Sequence, residues 1–206
     1  MQTDKKPHWD NIYQTKEPHQ VSWTQKTPAT SLELIKACKL SKDSKIIDIG
    51  GGDSLLVDHL LDLGYKNISV LDISEVALER AKKRLGDRQH EVNWIVSNVT
   101  HFTPSESYDC WHDRAAFHFL TENKDIDTYK EIVTNNIKAG GSLIIGTFSE
   151  DGPEKCSGIP ITQYTEITLE NTFSQSFERK ESIRIDHTTP FNTTQNFVFC
   201  RFNKLT

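Results

Sequence analysis

The stretch that decides the fold is Ile46 to Asp53, I-I-D-I-G-G-G-D, an apolar run that ends in three glycines with a carboxylate on either side. A short apolar run predicts a buried β-strand, and the glycines predict a turn at its end. Glycine lets backbone N–H groups approach a ligand closely, and a helix after such a turn points its positive end into the same crevice. The arrangement is typical of nucleoside-type cofactor sites in α/β sheets.

The spacing of the glycines separates two kinds of cofactor. A dinucleotide pattern G-x-G-x-x-G starting at Gly50 would have its third glycine at position 55, where Leu55 stands. The two acids, Asp48 and Asp53, suit a cation better than a pyrophosphate. Because S-adenosylmethionine carries an ammonium and a sulfonium but no phosphate, the stretch predicts it as the cofactor.

A second acid follows the next apolar run. Asn67 to Leu71 is predicted to be a short strand, and Asp72 follows the glycine turn at about 20 residues, the separation at which an acid binds ribose hydroxyls. The alternative is an acid favoured by the dipole of the helix that Ser74 opens. The distance from the glycine turn favours the ribose interpretation.

The length and the net charge of the chain limit the number of domains and the kinds of partner. A chain of 206 residues suffices for one well-cored domain but not for a cofactor domain with a large separate substrate domain. A net charge of −5 without a dense basic cluster argues against a nucleic-acid partner. Residues 1–18 are polar and no apolar run approaches about 18 residues, so we expect no signal peptide, no membrane span and a cytoplasmic location.

The four cysteines lie far apart, without a C-x-x-C pair; they are Cys38, Cys110, Cys156 and Cys200. This spacing predicts neither a disulfide framework nor a structural zinc site, and we predict no metal ligands. Cys156 falls in a polar loop, where an ordinary loop thiol is the favoured interpretation and an exposed, reactive thiol is the alternative.

The hydrophobic pattern alternates between strands and helices. It predicts five parallel strands with helices on both faces, a Rossmann-like doubly wound sheet, closed by a C-terminal antiparallel hairpin. The strands are expected at 45–49, 67–71, 92–96, 108–112 and 142–148, and the hairpin at 177–185 and 195–202. We expect one domain, 1–206, with an N-terminal lid segment (1–30), a cofactor-binding core (31–148) and a C-terminal part (149–206).

Several further pieces resemble a known family. They are W-D-N-I-Y (9–13), V-S-W (21–23), W-H-D-R-A-A-F-H-F-L (111–120) and C-S-G-I-P (156–160). With them, nearly the whole chain resembles a small class I S-adenosylmethionine-dependent methyltransferase of the bacterial type. The W-D-x-x-Y start is also similar to that of some eukaryotic protein-lysine methyltransferases.

The resemblance implies roles around the methionine part of the cofactor. Asp48 would order the glycine loop and bind the ammonium, while Gly50 and Gly52 would allow close backbone approach. Trp23 and Tyr13 would form a lid over the sulfonium, since aromatic faces attract cations. The alternative for the two aromatic residues is ordinary packing.

The resemblance also implies roles around the nucleoside. Asp72 would bind the ribose hydroxyls and Ile73 would pack on adenine. Asn98 and Val99 would bind the adenine edge. Asn98 stands where many relatives have an acid, and its side-chain oxygen would accept from the adenine amino group.

Three residues are expected directly after the fourth strand, facing the methyl group: Asp113, Arg114 and His118. His118 is a candidate general base because an imidazole titrates near neutral pH; packing within the F-H-F-L turn is equally open. Arg114 is either a clamp for an acceptor carboxylate or a structural partner of Asp113.

Three functions remain in order of preference. A methyltransferase with a small-molecule acceptor comes first, and a protein-lysine methyltransferase second. A nucleotide-binding oxidoreductase or a non-catalytic adenosyl-binding module is a distant third.

Overall fold

The computed structural model describes residues 5–206, so residues 1–4 of the expected lid segment lie outside the described part. The strands are β1 (Lys45–Ile49), β2 (Asn67–Asp72), β3 (Val92–Val96), β4 (Tyr108–Arg114), β5 (Ile137–Phe148), β6 (Lys155–Cys156), β7 (Ile159–Pro160), β8 (Phe177–Thr188) and β9 (Thr194–Lys204). The α-helices are α1 (Lys6–Thr15), α2 (Ala29–Ala37), α3 (Leu56–Asp62), α4 (Glu75–Leu85), α5 (Asn123–Asn136) and α6 (Glu166–Phe173).

Seven strands form one sheet in the order β3-β2-β1-β4-β5-β9-β8. The first five run parallel, and β9 pairs antiparallel with both β5 and β8. This confirms the expected fold, five parallel strands closed by an antiparallel hairpin. The strand order reverses between β1 and β4, the place where open α/β sheets bind ligands.

The predicted boundaries need three corrections. β4 extends to Arg114, so Asp113 and Arg114 lie in the strand rather than after it. The extension follows from the central position of β4, which pairs with β1 on one side and β5 on the other. β5 begins at Ile137 rather than at position 142, and the C-terminal part (149–206) contains the β6–β7 ribbon in addition to the expected hairpin.

The core lies on both faces of the sheet. Alternate residues of β5 show this, since Leu143 and Ile145 face one hydrophobic layer and Ile144 and Phe148 face the other. The first layer is covered by α5 and α6, and the second by α2 and α3. Because both faces of the sheet are covered, the sequences of the central strands are nearly continuous apolar runs. No helix within residues 5–206 is long and apolar enough to cross a membrane.

A buried polar cluster fixes the turn after β4. The Tyr129 hydroxyl donates to Asp113 Oδ2 at 2.9 Å and accepts from the Trp111 indole at 3.1 Å. Asp113 Oδ1 accepts from the backbone N–H groups of Ala116 and Phe117. Burial raises the pKa of Asp113 to about 6. Asp113 is thus fully buried and holds the turn, and it does not face the cavity described below.

Tyr129→Phe tests this cluster. The substitution leaves two buried groups without their partner, so we expect the free energy of unfolding, measured by urea denaturation, to fall by about 1–3 kcal/mol. Tyr164→Phe is the matched control, since the buried Tyr164 hydroxyl has no hydrogen-bond partner within residues 5–206. Its effect should stay below about 0.5 kcal/mol. Equal effects of the two substitutions would contradict the role of the cluster.

Candidate active site

A cavity of about 650 Å³ opens at the carboxyl ends of β1, β2 and β4. Its size suits a nucleoside-type ligand together with a small second molecule. The expected cofactor residues that line it are Trp23, Asp48, Gly50, Asp53, Asp72, Ile73, Asn98 and Val99. The structure therefore brings together eight of the nine expected cofactor residues, from four different segments of the chain.

The glycine loop lies at the base of the cavity. Gly50 has a φ of +64°, and a Cβ there would come within 2.6 Å of the Ala116 Cβ. Both the backbone conformation and the space therefore require glycine. Gly52 does not line the cavity; a Cβ at Gly52 would lie 2.6 Å from the Tyr13 hydroxyl, which covers this part of the loop.

The Asp48 carboxylate is buried and held from the neighbouring strand. His112 lies beside Asp48 in the β1–β4 register, and its Nδ1 is 2.7 Å from Asp48 Oδ1. His112 Nε2 is 2.8 Å from Ser31 Oγ in α2. All three residues line the cavity and are almost fully buried. The chain of hydrogen bonds fixes the orientation of the Asp48 carboxylate.

Asp72 presents a second buried carboxylate to the cavity. Its Oδ1 accepts from the Ser74 N–H at 2.8 Å, and Ser74 caps α4 through its hydroxyl. Burial raises the pKa of Asp72 to about 7. Both earlier interpretations of Asp72 thus have structural support, since it lies at the start of a helix and also faces the cavity.

Asp53 and Asn98 have protein partners as well as cavity positions. Asp53 Oδ2 lies 3.2 Å from Arg80 Nη2, and burial raises the pKa of Asp53. The Asn98 side-chain oxygen accepts from the Thr100 N–H and hydroxyl at 3.1 Å and 3.0 Å. Acceptance from an adenine amino group is therefore disfavoured in this geometry, and the amide nitrogen of Asn98 is its remaining side-chain donor.

An aromatic wall closes one side of the cavity. Trp9 packs edge to face against Trp23 and Phe119, with ring centroids 5.7 Å and 5.2 Å apart. Tyr13 packs against Trp23 at 6.3 Å. The segment from α1 to Trp23 thus covers the glycine loop, which agrees with the lid interpretation and also satisfies the packing alternative.

Arg114 lies at the cavity end of β4. Its Nη1 donates to the Trp23 carbonyl at 3.1 Å, and its guanidinium stacks over the Phe197 ring at 5.0 Å. It makes no ion pair with Asp113, whose oxygens are engaged elsewhere. Burial lowers the pKa of Arg114 to about 10, so it remains a cation at neutral pH.

Two sequence interpretations need correction. His118 does not line the cavity: it is fully buried between Phe119 and Phe148, and burial lowers its pKa to about 3. This placement favours packing over a base role. Cys156 is not an exposed, reactive thiol; it is buried in the β6–β7 ribbon, lines the cavity, and burial raises its pKa to about 12.

His112, Ser31 and Trp9 line the site but were not among the expected site residues, although Trp9 and His112 fall within the motifs at 9–13 and 111–120. The alternation of side chains along β4 is a usable signal for His112, because it places His112 and Arg114 on the face opposite Asp113. The contact with Asp48 depends on the register of two strands far apart in sequence, which a local pattern does not give. The Ser31 hydroxyl, within α2, bonds to the His112 ring.

Comparison with known proteins gives a partial family match and a similar fold. Residues 46–141 match the family described as "Methyltransferase domain". The N-methyltransferase NodS from Bradyrhizobium japonicum WM9, solved with S-adenosyl-L-homocysteine, has a similar fold, with a TM-score of 0.76 and 14% identity over 98% of each chain. Residues 46–141 therefore match a methyltransferase-domain model, and the chain shares its fold with an N-methyltransferase.

Two curated relatives have different acceptors. The "eEF1A lysine and N-terminal methyltransferase" of Mus musculus is 24% identical over 68% of this chain and 20% of that protein. The "Malonyl-[acyl-carrier protein] O-methyltransferase 2" of Ilyobacter polytropus is 26% identical over 52% of this chain and 40% of that protein. The matches thus span less than half of either relative.

The pKa of Asp72 predicts a pH dependence. In the native protein the carboxyl binds a proton up to about pH 7, whereas an unfolded aspartate loses it near pH 4, so this group lowers native stability as pH rises between these values. Ligand hydroxyls donate best to the ionised form. The affinity for S-adenosylhomocysteine, measured by calorimetry, should rise by about tenfold or more from about pH 5.5 to 8.

Asp72→Asn is the control for this prediction. It should lower the affinity by about 1.5–3 kcal/mol at about pH 8 and flatten the pH profile. An unchanged profile in the variant would mean that another group titrates and that Asp72 only opens the helix.

His112→Leu tests the hydrogen bonds that hold Asp48. Removing the donor leaves a buried carboxylate unpaired, so the affinity for S-adenosylhomocysteine should fall by about 1–3 kcal/mol in calorimetry. Ser31→Ala should cost less, because the bond from His112 to Asp48 remains. An affinity of His112→Leu equal to that of the wild type would refute the positioning role.

Proposed function

We propose that this chain transfers a methyl group from S-adenosylmethionine to a small-molecule acceptor. The observation that carries the proposal is the cavity at the switch point of the sheet, where Asp48 and Asp72 present buried carboxylates on either side of the glycine loop. The match to the methyltransferase-domain family over residues 46–141 supports the same reaction class.

The residues fit the proposed cofactor. Asp72, at the end of β2, has a carboxylate suited to a pair of ribose hydroxyls, and Ile73 beside it supplies apolar surface for a base. Asp48 suits the methionine ammonium, since His112 already orients its carboxylate. Tyr13 and Trp23 place aromatic rings over this part of the cavity, where a sulfonium would benefit from them.

When bound, S-adenosylmethionine supplies an electrophilic methyl group: the acceptor lone pair forms the new bond, the S–C electrons remain on sulfur, and any acceptor proton passes to solvent. The protein's contribution is alignment and exclusion of water. Trp9, Trp23 and Phe119 form the apolar wall for this purpose. A buried His118 with a lowered pKa is not positioned to remove a proton from the acceptor.

A protein-lysine acceptor is the second candidate, favoured by the similarity to the mouse methyltransferase. The charges on the acceptor side argue against it. Arg114 lines this side, and so does Lys5, whose ammonium donates to the Phe119 carbonyl at 2.7 Å. Two cations disfavour the approach of a lysine ammonium, so a small-molecule acceptor is the better proposal.

Ligand-dependent melting tests the cofactor. S-adenosylmethionine and S-adenosylhomocysteine, each at about 100 times its dissociation constant, should raise the melting temperature by about 5–10 °C, because they bind only the native state. NAD and NADP should have no effect. A shift with NAD alone would overturn the cofactor proposal.

Transfer of radiolabelled methyl groups tests the acceptor class. A cell extract is separated into a small-molecule filtrate and a protein fraction, and each is incubated with the enzyme and labelled S-adenosylmethionine. Label in the filtrate supports the proposal. Label confined to protein lysines would favour the second candidate, and no transfer in either fraction, despite cofactor binding, would favour a non-catalytic module.

A further inference from the structure

The Arg114 guanidinium is only partly satisfied. Its Nη1 donates to the Trp23 carbonyl, but Nε and Nη2 are buried and have no hydrogen-bond partner within residues 5–206. A buried cation with unused donors is costly unless an anion or another acceptor reaches it. The remaining donors therefore mark a place for a ligand group.

The free donors have the geometry of a carboxylate site. Nε and Nη2 form one edge of the planar guanidinium, and two parallel N–H groups on such an edge bind both oxygens of a carboxylate. The Phe197 ring covers one face of the guanidinium, and the Trp23 carbonyl holds its third nitrogen. These contacts fix the plane of Arg114 before a ligand arrives.

Arg114 has no direct anionic partner among the described residues. Among the described residues no carboxylate lies within ion-pair distance of Arg114. The neighbouring Cys156 is a neutral thiol, since burial raises its pKa to about 12, and burial lowers the pKa of both His118 and His187. Asp48 is paired with His112 and raises the pKa of Arg114 only from beyond ion-pair distance.

We propose that Arg114 binds a carboxylate of the methyl acceptor through Nε and Nη2, so that the acceptors are small carboxylic acids. This proposal rests on the proposed function and adds the substrate class. Arg114 lies on β4, next to β1 in the sheet, so a carboxylate held there places the rest of the acceptor between the aromatic wall and the glycine loop.

Benzoate is the probe, and benzamide is its neutral counterpart of the same shape. Calorimetric titration of the wild-type protein saturated with S-adenosylhomocysteine should show benzoate binding at least about tenfold more tightly than benzamide, as expected for hydrogen bonds to a charged group. Equal affinities, or no binding of either compound, would overturn the proposal.

Variants of Arg114 test whether this residue causes the preference for benzoate. Arg114→Gln should abolish the preference for benzoate while S-adenosylhomocysteine still binds. Arg114→Lys, available if the first variant fails to fold, should keep a preference reduced severalfold, because lysine lacks the planar fork. Arg88→Gln, which removes a surface arginine paired with Asp62, is the matched control and should behave as the wild type. A preference that survives in Arg114→Gln would place the anion elsewhere.

The same titrations separate this proposal from the proposed function. Repeated without S-adenosylhomocysteine, they measure the preference of the protein alone. Failure of S-adenosylhomocysteine to bind, with the benzoate preference intact, would refute the methyltransferase function and keep the carboxylate site. Cofactor binding and methyl transfer without a preference for benzoate would refute the carboxylate site and keep the methyltransferase function.

Discussion

The buried carboxylate of Asp48 is the constraint on which the site depends. It lies where the strand order reverses. Its carboxylate is hydrogen-bonded to His112 of β4, and the other ring nitrogen of His112 is hydrogen-bonded to Ser31 of α2. A buried charge without such partners would be strongly destabilising. The register of β1 against β4 and the position of α2 are therefore fixed together. A Cβ at Gly51 would lie 2.7 Å from Asp48 Oδ2, so the glycine loop also packs directly on this carboxylate.

Two carboxylates and two cations of the cavity lie over different strands of the sheet. Asp48 and Asp72 lie over β1 and β2, whereas Arg114 and Lys5 lie on the side of β4 and the turn that follows it. The division follows from topology, because residues at the ends of neighbouring parallel strands face one crevice while belonging to distant parts of the sequence. A cationic ligand group and an anionic one can thus occupy one cavity without competing for the same partners.

The sequence predicted the fold well because the signals are local. An apolar run followed by glycines, and an acid at the end of the next run, define β1, β2 and their turns without long-range information. The acceptor side was predicted less well. The roles of Asp113 and His118 depend on contacts with Tyr129 and Phe148, which come from α5 and β5, and no periodicity reveals them. The burial of Cys156 was missed for a similar reason, because the polar loop that contains it folds into a ribbon beside the cavity.

The segment that leads to Trp23 is fastened by its main chain. The Ser22 carbonyl lies 2.7 Å from His187 Nε2 in β8, and the Trp23 carbonyl accepts from Arg114 in β4. Main-chain oxygens are present whatever the side chain, so these attachments depend on the number of residues between α1 and α2 more than on their identity. Homologous sequences that keep this lid in place should tolerate few insertions or deletions around position 22, a constraint on length more than on composition.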